Sequence, residues 1–290
     1  MIFDKKTKNF SNVDGISGGR GSSNAGAGEK VWRGGERGSS NAGAGGRPRQ
    51  RKSLGQNFIY DTGYIGAILD KLNLATTDTV VEIGVGMGTL TTELSKRVGR
   101  VIAYEIDTRL EPILREKFAP IPNIELIIAD ALGEFVAVGG AYKVVANIPY
   151  YITSPLIMKF LCDTNCVEIC VLVQAEVADR ICARVSTPEY GALSVTVQAC
   201  ADCALIKRVP RHMFRPVPNV SSAFVTIRKR GGDVLPVGFE TFIKSVFSKR
   251  RKKISNSVDG EILTRFGINP DLRPENLTPD QFVKICRNST

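Results

Sequence analysis

Five short apolar runs, rich in β-branched residues, follow one another along the middle of the chain. They occupy residues 79–83, 101–106, 124–128, 144–146 and 169–173, and each ends beside a glycine or a polar residue. Segments with helical spacing lie between them, at residues 90–98 and 108–118. Strands that alternate with helices are typical of a parallel sheet covered on both faces. The pattern therefore predicts an α/β fold with a doubly wound, mostly parallel sheet.

The pattern changes towards the C-terminus. Residues 222–228 predict one more strand, antiparallel and at an edge of the sheet. Beyond Gly231 and Gly232 the apolar spacing becomes helical, over residues 239–247 and 279–286. We therefore predict a sheet domain over residues 51–230 and a small helical domain over residues 233–290.

The first fifty residues are dominated by Gly, Ser, Asn and Ala. The segment RGSSNAGAG occurs twice, at residues 20–28 and 37–45. Two polar copies are too few to build a repeat fold, so residues 1–50 are predicted to be a disordered tail.

The net charge of +10 is concentrated at the two ends of the chain. Residues 1–52 hold 11 Lys/Arg and 4 Asp/Glu, and residues 236–290 hold 10 and 6, whereas residues 53–235 hold 18 and 19. Basic ends around a neutral body suit a polyanionic partner such as nucleic acid, with solubility as the alternative. Since no apolar run reaches 18 residues and no secretion signal is recognisable, we expect no membrane partner and a cytoplasmic location.

The seven cysteines do not suggest a metal centre. Cys200 and Cys203 form a single CxxC pair, and a second pair of ligands is missing. With His212 as the lone histidine, we expect reduced thiols that pack in the core and no metal.

The first predicted strand runs into EIGVGMG at residues 82–88. Glycines at Gly84 and Gly86 let the backbone approach a ligand at the end of a strand. A dinucleotide site would favour G-x-G-x-x-G, whereas the spacing here is G-x-G-x-G, which is the form found in methyltransferases.

Carboxylates stand at the ends of the next two strands. Glu105 follows Gly84 by 21 residues, a position from which it can accept hydrogen bonds from both ribose hydroxyls of NAD or S-adenosylmethionine. Asp130, one strand later, is expected to bind the adenine amino group of the cofactor.

The fourth strand ends in the segment NIPY at residues 147–150. An aromatic amine is a poor nucleophile because its lone pair is delocalised into the ring. The Asn147 side-chain oxygen and the Pro149 carbonyl can accept its N–H bonds, and Tyr150 can stack on the base. We expect these three residues to be catalytic, with methyl transfer achieved by positioning and without a metal. The alternative for an isolated Pro-Tyr pair is a structural turn.

From about Lys52 onwards the sequence resembles the ribosomal RNA adenine dimethyltransferase family, in its bacterial small-subunit branch. The resemblance rests on LGQNF at 54–58, EIGVGMG at 82–88, EID at 105–107, DAL at 130–132, NIPY at 147–150, QAEVADR at 174–180, YGALSV at 190–195, FRPVPNV at 214–220 and FSKRRKK at 247–253.

The resemblance implies a Rossmann-like methyltransferase sheet that uses S-adenosylmethionine to dimethylate two adjacent adenines near the 3′ end of small-subunit (16S) ribosomal RNA. It also implies a monomer that acts on the assembling 30S particle. The cofactor contacts that we expect are Asn57, Ile59, Gly84, Gly86, Glu105, Asp130 and Asn147. The family motif further suggests that Phe214 covers the second face of the target base.

Five consecutive cations follow the first helix of the C-terminal domain, from Lys249 to Lys253. Cations at a helix end complement its dipole, but five exceed that need. We expect Arg250, Arg251 and Lys252 to bind RNA phosphates, which makes residues 233–290 the docking domain.

The sequence departs from the usual family pattern at two places, and two alternative functions stay open. Val85 stands where the family usually has Pro, and residues 151–153 read Tyr-Ile-Thr where Asn-Ile-Ser is common. One alternative is a large-subunit RNA methylase of the erythromycin-resistance type, and the other is a non-catalytic RNA-binding or transcription factor on the same scaffold. The Arg-Arg-Lys block favours the small-subunit branch, and the intact NIPY segment favours catalysis.

Overall fold

The computed structural model describes residues 58–148, 150–231 and 235–289. The strands, in chain order, are β1 (Phe58–Ile59), β2 (Thr79–Ile83), β3 (Arg100–Glu105), β4 (Ile124–Ile128), β5 (Tyr142–Asn147), β6 (Cys166–Gln174), β7 (Ala201–Val209), β8 (Phe214–Arg215) and β9 (Ser222–Lys229). The α-helices are α1 (Thr62–Leu69), α2 (Thr89–Ser95), α3 (Glu111–Phe118), α4 (Thr153–Cys162), α5 (Ala175–Ile181), α6 (Ala192–Gln198), α7 (Phe239–Ser248), α8 (Gly260–Arg265) and α9 (Pro279–Arg287). The predictions for the tail over residues 1–50, for Asn57 and for Pro149 lie outside the described residues.

Seven of these strands form one sheet in the order β4-β3-β2-β5-β6-β9-β7. Strands β2 to β6 pair in parallel, and β9 runs antiparallel to both of its neighbours. The prediction of a doubly wound, mostly parallel sheet is confirmed. All five apolar runs of the sequence are strands in it, although β5 and β6 extend beyond the predicted ends.

The prediction that residues 222–228 form an edge strand is wrong. Strand β9 is antiparallel, as expected, but it lies between β6 and β7, and β7 forms the edge. The sequence pattern missed β7 because an edge strand exposes part of its surface to water. Asp202 and Arg208 are exposed, while Ala201 and Val209 are buried, so the strand lacks the continuous apolar run that marks a central one.

Apolar cores cover both faces of the sheet. Neighbouring residues of β2 point in opposite directions, so that Val80 packs with α1, α2 and α3, and Val81 packs with α4, α5 and α6. This two-sided burial is what the apolar strands require. None of the described helices is long and apolar enough to cross a membrane.

Helices α7, α8 and α9 build a third core, and they do not build it alone. Tyr190 and Val195, from the segment that precedes β7, are fully buried against Phe239 and Phe282. The Tyr190 hydroxyl donates a hydrogen bond to the Leu277 carbonyl at 2.9 Å. The helical domain predicted over residues 233–290 therefore closes its apolar face with residues from the preceding domain.

Candidate active site

A cavity of about 200 Å³ opens at the carboxyl ends of β2, β3, β4 and β5. In parallel α/β sheets this edge is where ligands bind. Six residues predicted from the sequence line the cavity together: Gly84, Gly86, Glu105, Asp130, Asn147 and Tyr150. These residues are far apart in the sequence, and they meet because they follow neighbouring parallel strands of one sheet.

The glycine loop after β2 adopts a conformation that only glycine takes readily. Gly84, Gly86 and Gly88 have φ values of 80°, 57° and 71°, all in the left-handed region. A Cβ atom on Gly86 would lie 2.7 Å from Cδ1 of the Phe58 ring. The backbone conformation and the adjacent Phe58 ring therefore both require glycine here. Gly84 and Gly86 line the cavity with backbone alone, so a ligand can approach the main chain closely.

Glu105 holds this loop against the end of β3. Its buried carboxylate accepts hydrogen bonds from the Gly86 N–H at 2.7 Å and from the Asp107 N–H at 2.9 Å. Burial raises the pKa of Glu105, and the two amide bonds work against that shift. Each carboxylate oxygen has a further lone pair, so the side chain can also accept bonds from a pair of ligand hydroxyls.

The next strand end supplies a second oriented carboxylate. Asp130 accepts a hydrogen bond from the Leu132 N–H at 2.9 Å, which fixes its direction at the cavity wall. Ile106 and Leu132 line the same part of the cavity. Apolar side chains beside a fixed acceptor suit a flat heterocycle that carries an amino group.

Asn147 and Tyr150 line the other end of the cavity. Asn147 is the last residue of β5, and Tyr150 opens a short 3₁₀ turn that leads into α4. The Tyr150 hydroxyl lies 2.7 Å from Oγ of Ser222, a fully buried residue at the start of β9. Burial raises the pKa of Tyr150, so its hydroxyl stays protonated and its ring is anchored at the far end.

Sequence reasoning missed several wall residues, namely Phe58, Ile106, Leu132 and Tyr151. Tyr151 is 63% exposed beside the anchored Tyr150. Tyr151 lies outside the apolar spacing of the predicted strands and helices, so that spacing could not indicate it. The signal in the sequence was the pair of adjacent tyrosines, Tyr150 and Tyr151.

Two other predicted residues lie away from this cavity. Ile59 lines a smaller neighbouring cavity beneath the glycine loop, together with Glu82. Phe214 is predicted to cover the target base, but its side chain is fully buried in the core, and its backbone pairs with Ile59 between β1 and β8. Since the ring is not available to a base, Phe214 is not part of the site that we propose.

The cations predicted to dock RNA differ from one another in the structure. Arg250 is partly buried, pairs with Glu275 at 2.6 Å and donates to the Pro188 carbonyl at 2.8 Å. Arg251 and Lys252 are exposed in the turn that follows α7. Arg250 therefore has a structural role in the fold, whereas Arg251 and Lys252 present their charges to solvent.

Glu82, at the end of β2, is a buried acid behind the glycine loop. No donor in the described part of the chain meets either of its carboxylate oxygens with hydrogen-bond geometry. Burial raises its pKa to about 8, with the nearby Glu105 carboxylate adding to the shift and the Thr91 hydroxyl offsetting part of it.

Glu82 makes the stability of the ligand-free protein depend on pH. Between about pH 5 and 8 the folded state keeps a proton that the unfolded chain has released, so the free energy of unfolding falls as pH rises. The slope reaches up to ~1.4 kcal/mol per pH unit. Urea unfolding at pH 5, 6.5 and 8 should show this decline, and the Glu82→Gln variant should flatten it, leaving a residual slope from Glu105.

Glu125→Gln is the matched control, because Glu125 is a half-exposed partner of Arg100 and should leave the slope unchanged. Equal slopes for wild type and Glu82→Gln would contradict the assignment.

Among the described residues, no group of His, Cys, Asp and Glu is arranged to hold a metal ion, and none of the seven cysteines forms a disulfide. Burial raises the pKa of Cys203 to about 12 and that of Cys182 to about 11. These thiols are therefore poor nucleophiles and poor ligands at neutral pH.

Comparison with known proteins gives one consistent family. A family model described as ribosomal RNA adenine dimethylase matches residues 47–289. A ribosomal RNA small subunit methyltransferase A from Bacillus mycoides is 39% identical, over 81% of this chain and 89% of its own length. The same-named protein of Bacillus anthracis is similar to the same degree.

Solved structures agree with the observed fold. The structure of the 23S rRNA methyltransferase ErmE superimposes with a TM-score of 0.64 at 28% identity, covering 79% of this chain and 98% of its own. A dimethyladenosine transferase from Plasmodium falciparum superimposes with a TM-score of 0.71 at 23% identity, covering 79% and 96%.

Proposed function

Since the chain belongs to the ribosomal RNA adenine dimethylase family, we propose that it methylates the N6 amino groups of two adjacent adenines near the 3′ end of small-subunit (16S) ribosomal RNA. The chain is an rRNA adenine dimethyltransferase with an α/β methyltransferase fold. The observation that carries the choice of RNA is the 39% identity to small-subunit enzymes, against 28% to the large-subunit enzyme ErmE. The proposed partner is the assembling 30S particle, approached by a monomer.

The proposed cofactor is S-adenosylmethionine, and the cavity fits it in three respects. Glu105 offers acceptors for two ribose hydroxyls, Asp130 offers one for an adenine amino group, and Gly84 and Gly86 present backbone without side chains at the cavity wall. When bound, this cofactor supplies an electrophilic methyl group on a sulfonium. Asn57 and Ile59 stay predictions as further contacts.

The lone pair of the target amine is delocalised into the adenine ring. It must be localised on the nitrogen before the amine can attack a methyl group. The Asn147 side-chain oxygen and the Pro149 carbonyl are proposed to accept its N–H bonds, which favours a pyramidal nitrogen. Tyr150 holds the base by stacking, and its bond to Ser222 keeps the ring from turning away. These contributions are positioning and electrostatic, and they require neither a metal nor a covalent intermediate.

A non-catalytic role on the same scaffold is the second candidate. A protein that only bound RNA would have no need for an asparagine and an anchored tyrosine beside a cofactor cavity. The cavity joins Asn147 and Tyr150 to Glu105, and this arrangement favours catalysis.

The test compares two RNA substrates with the purified protein and labelled S-adenosylmethionine. Undermethylated small-subunit particles should be methylated on adenine N6, and protein-free large-subunit RNA should not. Labelling of the large-subunit RNA alone would transfer the assignment to the erythromycin-resistance type. Labelling of neither, by a protein that binds both RNA and cofactor, would favour the non-catalytic role.

If Arg251 and Lys252, in the turn after α7, bind RNA phosphates, the affinity for RNA should depend on salt concentration through these two residues. Because Arg250 supports the fold, the informative variant is Arg251→Gln with Lys252→Gln. Each lost phosphate contact should reduce the slope of log K against log salt by roughly 0.7–0.9. Affinity for small-subunit particles across a salt series measures it, with calorimetry of S-adenosylmethionine as the folding control.

Deletion of residues 1–50 provides the comparison. We expect a smaller loss, since a segment that the sequence predicts to be disordered pays an ordering cost when it binds. If deletion of residues 1–50 flattens the salt dependence of RNA affinity, and Arg251→Gln with Lys252→Gln leaves it unchanged, the docking surface lies at the N-terminal end of the chain.

A further inference from the structure

One aromatic side chain at the cavity is left open to solvent. Tyr151 lines the cavity and is 63% exposed, which places its ring at the opening. Across residues 58–148, 150–231 and 235–289, every other Phe and Tyr is buried or partly buried. An aromatic ring contributes most to a fold when it is buried, so Tyr151 contributes little to the core and presents its ring to a ligand.

The two adjacent tyrosines differ in their contacts. The Tyr150 hydroxyl is anchored by Ser222. Within the described part of the chain, no residue bonds to the Tyr151 hydroxyl and no aromatic ring packs on its ring. The ring of Tyr150 is therefore held by the protein, whereas that of Tyr151 is available to a partner.

The backbone that carries Tyr151 is fixed on both sides. Tyr151 is the middle residue of the 3₁₀ turn Tyr150–Ile152. Ile152 packs against the apolar core on the α4 face of the sheet, and Thr153, the first residue of α4, is buried. A tyrosine on a fixed backbone has two rotatable side-chain bonds, so little conformational entropy is lost when its ring meets a partner.

Tyr151 lies at the end of the cavity where the target base is proposed to bind. It follows Asn147 and Tyr150 in the chain, and all three line the same cavity. The proposed cofactor contacts, Glu105 and Asp130, follow other strands of the sheet. A partner of the Tyr151 ring therefore comes from the RNA.

The proposed substrate has a base with a suitable face. It carries two adjacent adenines, and the single Asn147 serves one of them at a time. When one base leaves the stack, its neighbour loses a stacking partner. Exposed aromatic side chains stack on such bases whatever their sequence, because every base has a π-face.

We propose that Tyr151 is a second base-stacking residue, which holds the adenine next to the target while Tyr150 holds the target itself. This inference rests on the proposed function, because it names how the second adenine of the same substrate is bound. Tyr151 acts on RNA affinity and leaves the chemical step to Asn147 and Pro149.

The test measures the affinity of Tyr151→Ala for two kinds of small-subunit particle. One contains the intact 3′ RNA segment, and the other is reassembled with an abasic nucleotide in place of one of the two adenines. On intact particles the variant should bind roughly five- to a hundredfold more weakly than the wild type. On abasic particles the two proteins should bind equally, because the base that Tyr151 would stack on is gone. Single-turnover methylation of intact particles at saturating RNA should stay near the wild-type rate.

Two further variants are controls. Tyr151→Phe keeps the ring and removes only the hydroxyl, so it should bind intact particles like the wild type. Val167→Ala removes an exposed apolar side chain near the start of β6, at the opposite end of the sheet from the cavity, and should not change RNA affinity. Urea unfolding of both Tyr151 variants should stay close to that of the wild type, since the ring is exposed.

Three results would each exclude the stacking role. Tyr151→Ala binds intact particles as tightly as the wild type, or it loses the same factor on abasic particles, or Tyr151→Phe loses as much as Tyr151→Ala. Methylation of small-subunit particles by the wild type is scored separately. If the wild type methylates them, any of these results removes this inference alone, whereas a wild type that labels no adenine overturns the proposed function.

Discussion

Replacing Asn147 with alanine is expected to lower the rate of methyl transfer by about 10²- to 10³-fold. The side-chain oxygen is proposed to accept an N–H bond that strengthens as the amine nitrogen becomes pyramidal. Losing one such preorganised contact costs ~3–4 kcal/mol in the transition state. RNA affinity should be retained, because phosphate contacts dominate it. Single-turnover methylation at saturating RNA measures the chemical step.

Tyr150→Phe is the matched control for this prediction. It keeps the aromatic ring and removes only the bond to Ser222, so it should lose far less than Asn147→Ala. A folded Asn147→Ala enzyme that methylates at a near wild-type rate would remove Asn147 from the chemistry.

Glu105→Ala should weaken S-adenosylmethionine binding by roughly ten- to a hundredfold. Loss of a charge-assisted hydrogen bond costs ~1.5–3 kcal/mol, and each 1.4 kcal/mol is a factor of ten. The variant also leaves the Gly86 and Asp107 amides without their acceptor, so the glycine loop should loosen.

Calorimetry and urea unfolding together separate the two effects. Asp130→Ala is the comparison, because it removes a cavity carboxylate that does not hold the glycine loop. Unchanged cofactor affinity in folded Glu105→Ala would exclude the ribose role, and tight NAD binding by the wild type would overturn the cofactor assignment.

The parts of the site that the sequence predicted share one physical origin. Buried parallel strands need continuous apolar runs, and the chain must turn polar where each run leaves the core. That rule located Glu105, Asp130 and Asn147, which the structure brings to one cavity.

The parts that the sequence missed depend on contacts distant in the chain. Nothing local to Arg250 announces its pairing with Glu275, 25 residues away. His212 and Arg215, on either side of Phe214, are exposed, and the burial of Phe214 accompanies its pairing with β1, more than 150 residues earlier. The sequence pattern did not predict strand β7, because an edge strand carries exposed charged residues and lacks a continuous apolar run.

The position of β9 in the sheet sets the order in which the enzyme can mature during its own synthesis. Strand β9 lies between β6 and β7, so a nascent chain that ends before residue 222 has an unpaired β6 edge, lined by Ile169, Val171 and Val173. Such an edge is prone to wrong pairing. Tyr150 likewise has no anchor until Ser222 has been made. Three-quarters of the chain must therefore be synthesised before Tyr150, the residue proposed to stack on the target base, is held in position.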